Sequence, residues 1–266
     1  MIFVILSNNL TTSYKIVNLI ADIGNTRSKL AIYHDDILVN NQSYNKTIGS
    51  AEYEQFINSH KPINNLIYSA VGKLGFNPSS VNISGQCIEL SHRTKLPIEL
   101  LYSSKSTLGT DRIAAAVGGS VKINNNDVLI IDAGSCITFD FVNSNKQYLG
   151  GSISPGLKMR FQALNTFTEN LPLLTNNKLT AAELIGNTTD KSIISGILNG
   201  TIEEVIGLSD KYHKKFDALN IVLTGGDCHL FEKALRRHFL SKKNMIFADS
   251  NLVLTGLNEI LNFNVN

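Results

Sequence analysis

The sequence has no tryptophan, and only three cysteines, three methionines and five prolines among its 266 residues. Cys87, Cys136 and Cys228 are odd in number, far apart and without a C-x-x-C pair. That pattern excludes a zinc ribbon and a disulfide framework, and it fits a reducing, cytoplasmic setting. Charge of one sign is also missing: 24 basic against 22 acidic residues leave a net charge of +2. The mild clusters Arg236-Arg237 and Lys242-Lys243 therefore read as solvated helix surface, and no nucleic-acid partner is expected. No run approaches the roughly 18 apolar residues of a membrane span, so no membrane partner is expected either. "MIFVILSNN" lacks a basic n-region and an A-x-A cleavage site, so residues 1–16 read as an extra strand or a loose extension and not as a signal peptide. There is no G-x-x-x-x-G-K-[ST] loop, no HRD or DFG context and no HExxH or HxH spacing among the six histidines. Their absence disfavours a P-loop fold and a protein kinase.

What remains is an ordinary globular composition, 43% hydrophobic and 17% charged. A chain of this length buries roughly 70–75% of the surface it exposes when unfolded, so it needs no covalent or metal staple. Strand and helix signals alternate along it. Residues 17–23, 27–33 and 37–40 predict a three-stranded antiparallel meander. A helix is expected over 50–59, a buried strand over 64–70 and a helix over 109–122, started by Thr-Asp. Strand signals return over 127–142 and 146–156, with Pro155 expected at the first turn of the next helix. The apolar residues of 189–206 recur at helical spacing. A strand over 219–226, a helix after it and a helix over 251–261 complete the pattern.

The chain also repeats itself. "LIADIGNTRSKLAIY" (19–33) returns as "LIIDAGSCITFDFV" (129–142), with Asp22 on Asp132, Gly24 on Gly134 and Asn25 on Ser135, 110 positions later. Each copy is an apolar strand, Asp-x-Gly, a small polar turn and a second strand, which predicts a duplicated unit. Backbone N–H groups at such a corner form a nest for anionic oxygens, and glycine lets the backbone approach them closely. Asn25 and Thr26 add side-chain donors and Lys29 a fixed positive charge. Asp22 makes sense beside phosphate only if it holds Mg²⁺, directly or through water. Two such hairpins across a cleft can clamp one triphosphate, although each alone is also a common turn. In "GTDR" (109–112), Asp111 at a helix start can take a proton from an attacking hydroxyl and Arg112 can hold a carboxylate. A plain N-cap with a surface arginine fits that tetrapeptide as well, and "TGG" (224–226) is equally a nucleotide contact or a simple strand–helix turn.

Together these segments resemble the type III pantothenate kinases, of the acetate and sugar kinase/heat-shock chaperone/actin superfamily. The resemblance runs from about residue 17 to 260 through "DIGNTRSK" (22–29), "GTDR", "DAGSCITFD" (132–140), "GGSISPG" (150–156), "GNTTDKSIISG" (186–196), "TGG" and "NLVLTGL" (251–257). It implies an α/β fold of two tandem ribonuclease H-like (actin-like ATPase) domains, here 17–122 and 123–266, with a nucleotide cleft between them. It also implies ATP-dependent phosphorylation of pantothenate, the first step of coenzyme A biosynthesis.

By the same resemblance Asp22, Ile23, Gly24, Asn25, Thr26, Arg27, Ser28 and Lys29 hold the ATP phosphates, with Asp22 near Mg²⁺, and Ser135 lies in the second phosphate turn. Asp111 is the general base; Tyr102, Gly109, Thr110, Arg112 and Thr189 are expected to contact pantothenate. Asp132 is expected to bind a monovalent cation, K⁺ or NH4⁺. The family implies a homodimer with the substrate pocket at the subunit interface. It also includes the Bvg accessory factor, named as an activator of transcription. A non-catalytic member should have lost the base or the hairpins, whereas this chain keeps Asp22, Lys29, Asp111, Arg112 and Asp132. A kinase for another hydroxyl substrate, or an exopolyphosphatase-like hydrolase, would use the same fold. The second motif departs from the usual D-x-G-T-A-x-T: Ser135 keeps a hydroxyl, and Cys136 replaces a smaller alanine and is a candidate for oxidation.

Overall fold

A computed structural model describes residues 16–45, 47–174 and 181–265. The extension expected over 1–16 lies outside them except for Ile16. The first half contributes strands β1 (Val17–Ile23), β2 (Ser28–His34) and β3 (Ile37–Tyr44), helix α1 (Ser50–Asn58), strands β4 (Asn65–Ala70), β5 (Cys87–Glu89) and β6 (Glu99–Leu100), and helix α2 (Thr110–Lys122). The second half contributes β7 (Val128–Ala133), β8 (Cys136–Val142), β9 (Gln147–Pro155), α3 (Leu157–Thr166), α4 (Thr189–Lys215), β10 (Asn220–Thr224), α5 (Cys228–His238), β11 (Ile246–Ala248) and α6 (Leu252–Val265).

The duplication is visible in the topology. One sheet has the order β3-β2-β1-β4-β5, the other β11-β10-β7-β8-β9-β6. In each, an antiparallel meander is extended by two parallel strands, so β1 to β5 correspond to β7 to β11. The register agrees at the decisive residues: Asp22 pairs with Ser69 on β4, and Asp132 with Thr224 on β10. The added strand β6, from the first half, joins the second sheet beside β9.

Both faces of each sheet are covered, which explains why β1 and β7 read as near-continuous apolar runs. Tyr53, Phe56 and Ile57 of α1 cover Leu19, Ala21, Leu30 and Leu66 on the outer face of the first sheet. Val205 of α4 and Phe231 and Leu235 of α5 cover Leu129, Ile131 and Phe139 on the second. Between the sheets lie α2 and α6, packed on Ile20, Ala31 and Ile67 from one side and on Val128, Ile130 and Val222 from the other. Burying a leucine or isoleucine fully is worth about 1.5–3 kcal/mol, and α6 buries Leu252, Leu254, Leu257, Ile260 and Leu261 in this layer.

The two central helices cross on glycine. A Cβ at Gly118 would strike the carbonyl of Leu252, and one at Gly256 would strike the carbonyl of Ala114. The contact is reciprocal, as expected of helices that occupy the same place in two copies of one unit. A buried amide chain then ties α6 to the first sheet: Asn18 Nδ2 donates to Asn258 Oδ1 at 3.1 Å and Asn262 Oδ1 at 3.0 Å, and Asn65 Nδ2 donates to Asn18 Oδ1 at 3.0 Å.

Pro155 is displaced from its expected place. It ends β9, Gly156 is the N-cap, and α3 begins at Leu157. The strand pairing of Pro155 with Cys136 holds it in the sheet. The helix expected over 189–206 runs on to Lys215 because Leu208 and Tyr212 continue its apolar face onto the second sheet. Its first turn is capped by Thr188, whose hydroxyl accepts from the Lys191 amide at 3.2 Å. Arg236 is tethered to Glu232 at 3.0 Å, and Arg237 is exposed on α5. Among the described residues no helix is long and apolar enough to cross a membrane.

Candidate active site

The turn after β1 is closed by the Gly24 amide donating to the Arg27 carbonyl at 3.0 Å. A Cβ at Gly24 would come within 2.7 Å of that carbonyl, and one at Gly72, on the far side, would strike the Gly24 carbonyl. Only glycine fits this double approach. The turn after β7 repeats the closure one residue shorter: the Gly134 amide donates to Cys136 O at 2.9 Å and the Gly156 amide to Ser135 O at 3.1 Å. Even the supports correspond, with the Gly72 amide on Ile23 O and the Asp227 amide on Ala133 O, each at 3.0 Å.

The tips meet. Thr26 Oγ1 lies 2.9 Å from Ser135 Oγ, and both residues are exposed at the mouth of the cleft. The Arg27 guanidinium crosses it to lie against Gly226, beside Gly225 at φ 89°. Lys29, opposite Asp22 in the β1–β2 pairing, donates through Nζ to the Ser250 carbonyl at 2.5 Å, just ahead of α6. Ile23 and Ser28 are buried beneath the first tip, and Asn25 is exposed on it.

Helix α2 starts at the same cleft. Gly109 is its N-cap, and Thr110 Oγ1 lies 2.8 Å from Ser69 Oγ at the end of β4. Asp111 Oδ1 accepts the Arg112 amide at 2.8 Å. A Cβ on Gly109 would strike that carboxylate, so glycine keeps the approach to Asp111 open.

Asp22, Asp111 and Asp132 form one electrostatic unit. Burial pushes the Asp22 carboxyl up to about 7; Lys29 opposes this, and the charges of Asp111 and Asp132 add to it. Burial likewise raises Asp132 to about 6, with Asp111 adding and Lys29 opposing. Asp111 is raised as well, again chiefly by burial, against the amide bond from Arg112. Such clustered carboxylates are hard oxygen donors that attract hard cations. Among the described residues no three His, Cys, Asp or Glu side chains converge as a metal-binding group. Each carboxylate by itself could supply an oxygen ligand to a divalent cation.

The model of the type III pantothenate kinase family matches residues 18–211. Relatives named type III pantothenate kinase include one from Christiangramia forsetii, 40% identical over 249 residues, covering 93% of this chain and 99% of that protein. Another, from Cytophaga hutchinsonii, is 39% identical and covers 94% and 100%. The chain belongs to the type III pantothenate kinase family. Among solved structures, a Baf family protein from Campylobacter jejuni superposes with TM-score 0.54 at 23% identity, covering 92% of this chain and 98% of that one. The activator of 2-hydroxyisocaproyl-CoA dehydratase from Clostridium difficile, solved with bound ADPNP, gives 0.53 at 13% identity, covering 94% and 95%. At these identities the likeness is one of fold, the two-sheet α/β architecture described above.

In this pantothenate-kinase family member, Arg112 is deeply buried. Its Nε and Nη2 donate to Asp140 Oδ1 on β8 at 2.9 and 2.6 Å, and Tyr148 on β9 donates to the same oxygen at 2.7 Å. Tyr102 stands beside the guanidinium; its ring is 5.9 Å from that of Tyr148 and rests on Gly150, whose φ is 103°. Tyr102 and Arg112 thus come together at the start of α2. Thr189 stands elsewhere, exposed at the start of α4, where it lines a depression with Leu164, Leu171 and Ser192 that includes no residue of the acidic cluster.

Asp140, Tyr148, Ser69 and Ser250 did not stand out in the sequence. Asp140 ends the quoted motif "DAGSCITFD" and, like Asp132, lies an even number of residues along its hairpin. That was the one available signal, and it named no partner.

Proposed function

We propose that this chain transfers the γ-phosphoryl group of ATP to the primary hydroxyl of pantothenate, giving 4'-phosphopantothenate for coenzyme A synthesis. The observation that carries this reading is the arrangement of Asp111 at the α2 N-terminus beside two matched Asp-x-Gly hairpins whose tips touch. Phosphoryl transfer is largely positioning plus charge neutralisation. The amides of Asn25 to Arg27 and the hydroxyls of Thr26 and Ser135 bind the phosphate oxygens, and Lys29 offsets their charge. Mg²⁺ beside Asp22, when bound, neutralises charge developing on the phosphates, and Asp132 holds K⁺ or NH4⁺. Asp111 accepts the proton of the substrate hydroxyl as its oxygen bonds to phosphorus and ADP departs with the β–γ bridging electrons. Its raised pKa makes it a better proton acceptor than an ordinary surface carboxylate.

Tyr102, Gly109, Thr110 and Arg112 form the pantothenate pocket, with Arg112 facing the substrate carboxylate. The two units 17–122 and 123–266 form the walls of the nucleotide cleft. A homodimer supplies Thr189 from the second subunit. Support comes from the place of Thr189, exposed and apart from Asp111 and the hairpin tips, where a second subunit could carry it to the pocket. A cytoplasmic setting follows from the substrates and the three free cysteines. The test is phosphopantothenate formation from ATP, Mg²⁺ and pantothenate, in K⁺ and then in Na⁺. No product, or equal product from Asp111→Asn, would overturn the assignment. Equal rates in the two salts would remove the cation role of Asp132.

A further inference from the structure

We propose that Asp140 is a positioning residue for pantothenate, which with Tyr148 holds the Arg112 guanidinium so that its free end meets the substrate carboxylate. This rests on the reading above that Arg112 faces pantothenate. Asp140 is completely buried, and all three of its hydrogen bonds fall on Oδ1. Its Oδ2 has no hydrogen-bond partner among the described residues. The strongest carboxylate–guanidinium pairing is bidentate, with each oxygen taking one N–H. Here the Nε–Nη2 edge places both of its N–H groups on one oxygen, so the interaction is not arranged for its own strength. A buried ion pair is in any case often replaceable by apolar packing without loss of stability.

The geometry instead suits orientation. One N–H each of Nε and Nη2 is spent on Asp140, which leaves Nη1 and the second N–H of Nη2 for a second planar anion. Tyr102 stands beside the same guanidinium, and Asp111 is the adjacent residue on α2. Two strands of the second sheet, β8 and β9, thereby fix a side chain carried by a helix of the first half. Asp140 itself is too buried to touch substrate, so it acts through Arg112.

The test is steady-state kinetics on the full-length protein with Asp140→Asn, Tyr148→Phe, Arg112→Lys and the double variant Asp140→Asn/Arg112→Lys. Asp140→Asn is expected to raise the pantothenate KM roughly 10- to 100-fold, the range for losing the outer partner of a ligand-holding side chain. The ATP KM should stay within about twofold, and Tyr148→Phe should move the same constant less. In the Arg112→Lys background the Asp140→Asn effect should largely vanish, because residues acting through one contact are not additive. An unchanged pantothenate KM, a parallel rise in both KM values, or a full effect in the Arg112→Lys background would overturn the proposal. If Asp140→Asn fails to fold, Tyr148→Phe decides by the same KM comparison. Failure of the parent to phosphorylate pantothenate at all would instead overturn the functional reading.

Discussion

Thr26 Oγ1 and Ser135 Oγ lie 2.9 Å apart, joining two hairpin tips whose residues are 109 positions apart in the chain. Two short polar turns from corresponding places in a duplicated unit thus become the two sides of one cleft. The two hydroxyls share one hydrogen bond, and a phosphate bound between the tips would take a charge-assisted bond from each.

Replacing either hydroxyl should therefore weaken nucleotide binding more than substrate binding. A hydrogen bond to a charged group contributes about 1.5–3 kcal/mol, so Thr26→Ala and Ser135→Ala should each raise the ATP KM roughly tenfold or more. The pantothenate KM should change little, and initial-rate kinetics with one substrate varied at a time separate the two constants.

Asp111→Asn keeps the shape at the start of α2 but cannot accept a proton. General-base catalysis contributes typically about 10²- to 10⁴-fold, and kcat should fall in that range while nucleotide affinity is retained. Phosphopantothenate formation together with equilibrium ATP binding checks both parts.

The raised carboxyl of Asp22 has a consequence for stability. Its folded pKa of about 7 lies above the unfolded value near 3.8, so between those pH values the folded chain binds more protons than the unfolded one. Stability contributed by this group is complete below the unfolded pKa, declines as pH rises and is lost above about 7. In protein free of nucleotide and metal, Asp22→Asn should accordingly be more stable than the parent at pH 8 and nearly equal to it at pH 4. Thermal melts across that range measure the difference, and a parent that gained stability relative to Asp22→Asn on going from pH 4 to 8 would contradict it.

The crossing of α2 and α6 admits no side chain at Gly256, where a Cβ would collide with the Ala114 carbonyl. Backbone cannot yield as a flexible side chain can, so Gly256→Ala should destabilise by about 1–3 kcal/mol or more. Its midpoint should fall by roughly 2–4 °C per kcal/mol for a chain of this size. Gly196→Ala in α4, where nothing lies within 4 Å of the added methyl, is the control and should be neutral or slightly stabilising. Differential scanning calorimetry of the pair provides the comparison.

The sequence by itself determined the strands and helices whose pattern is local and the hairpin tips that repeat. β1, β2, α1, β4 and α2 lie within a residue or two of their expected limits, because apolar periodicity, turn glycines and caps act over a few positions. The pair Asp22–Asp132 was legible for the same reason: two copies of one local pattern can be set against each other without knowing the fold. Only the tertiary structure decided what has no local cause. The strands β5 and β11 are three residues each, too short to carry a period, and exist because a neighbouring parallel strand supplies their partners. That Lys29 ends on the Ser250 carbonyl, that Asn18 reaches Asn258 and Asn262, and that Arg112 is held by Asp140 and Tyr148 are contacts between distant segments, set by how the two sheets close on α2 and α6. A charged residue announces in the sequence that it needs a partner; which one it receives depends on burial and distance, and those exist only in the folded chain.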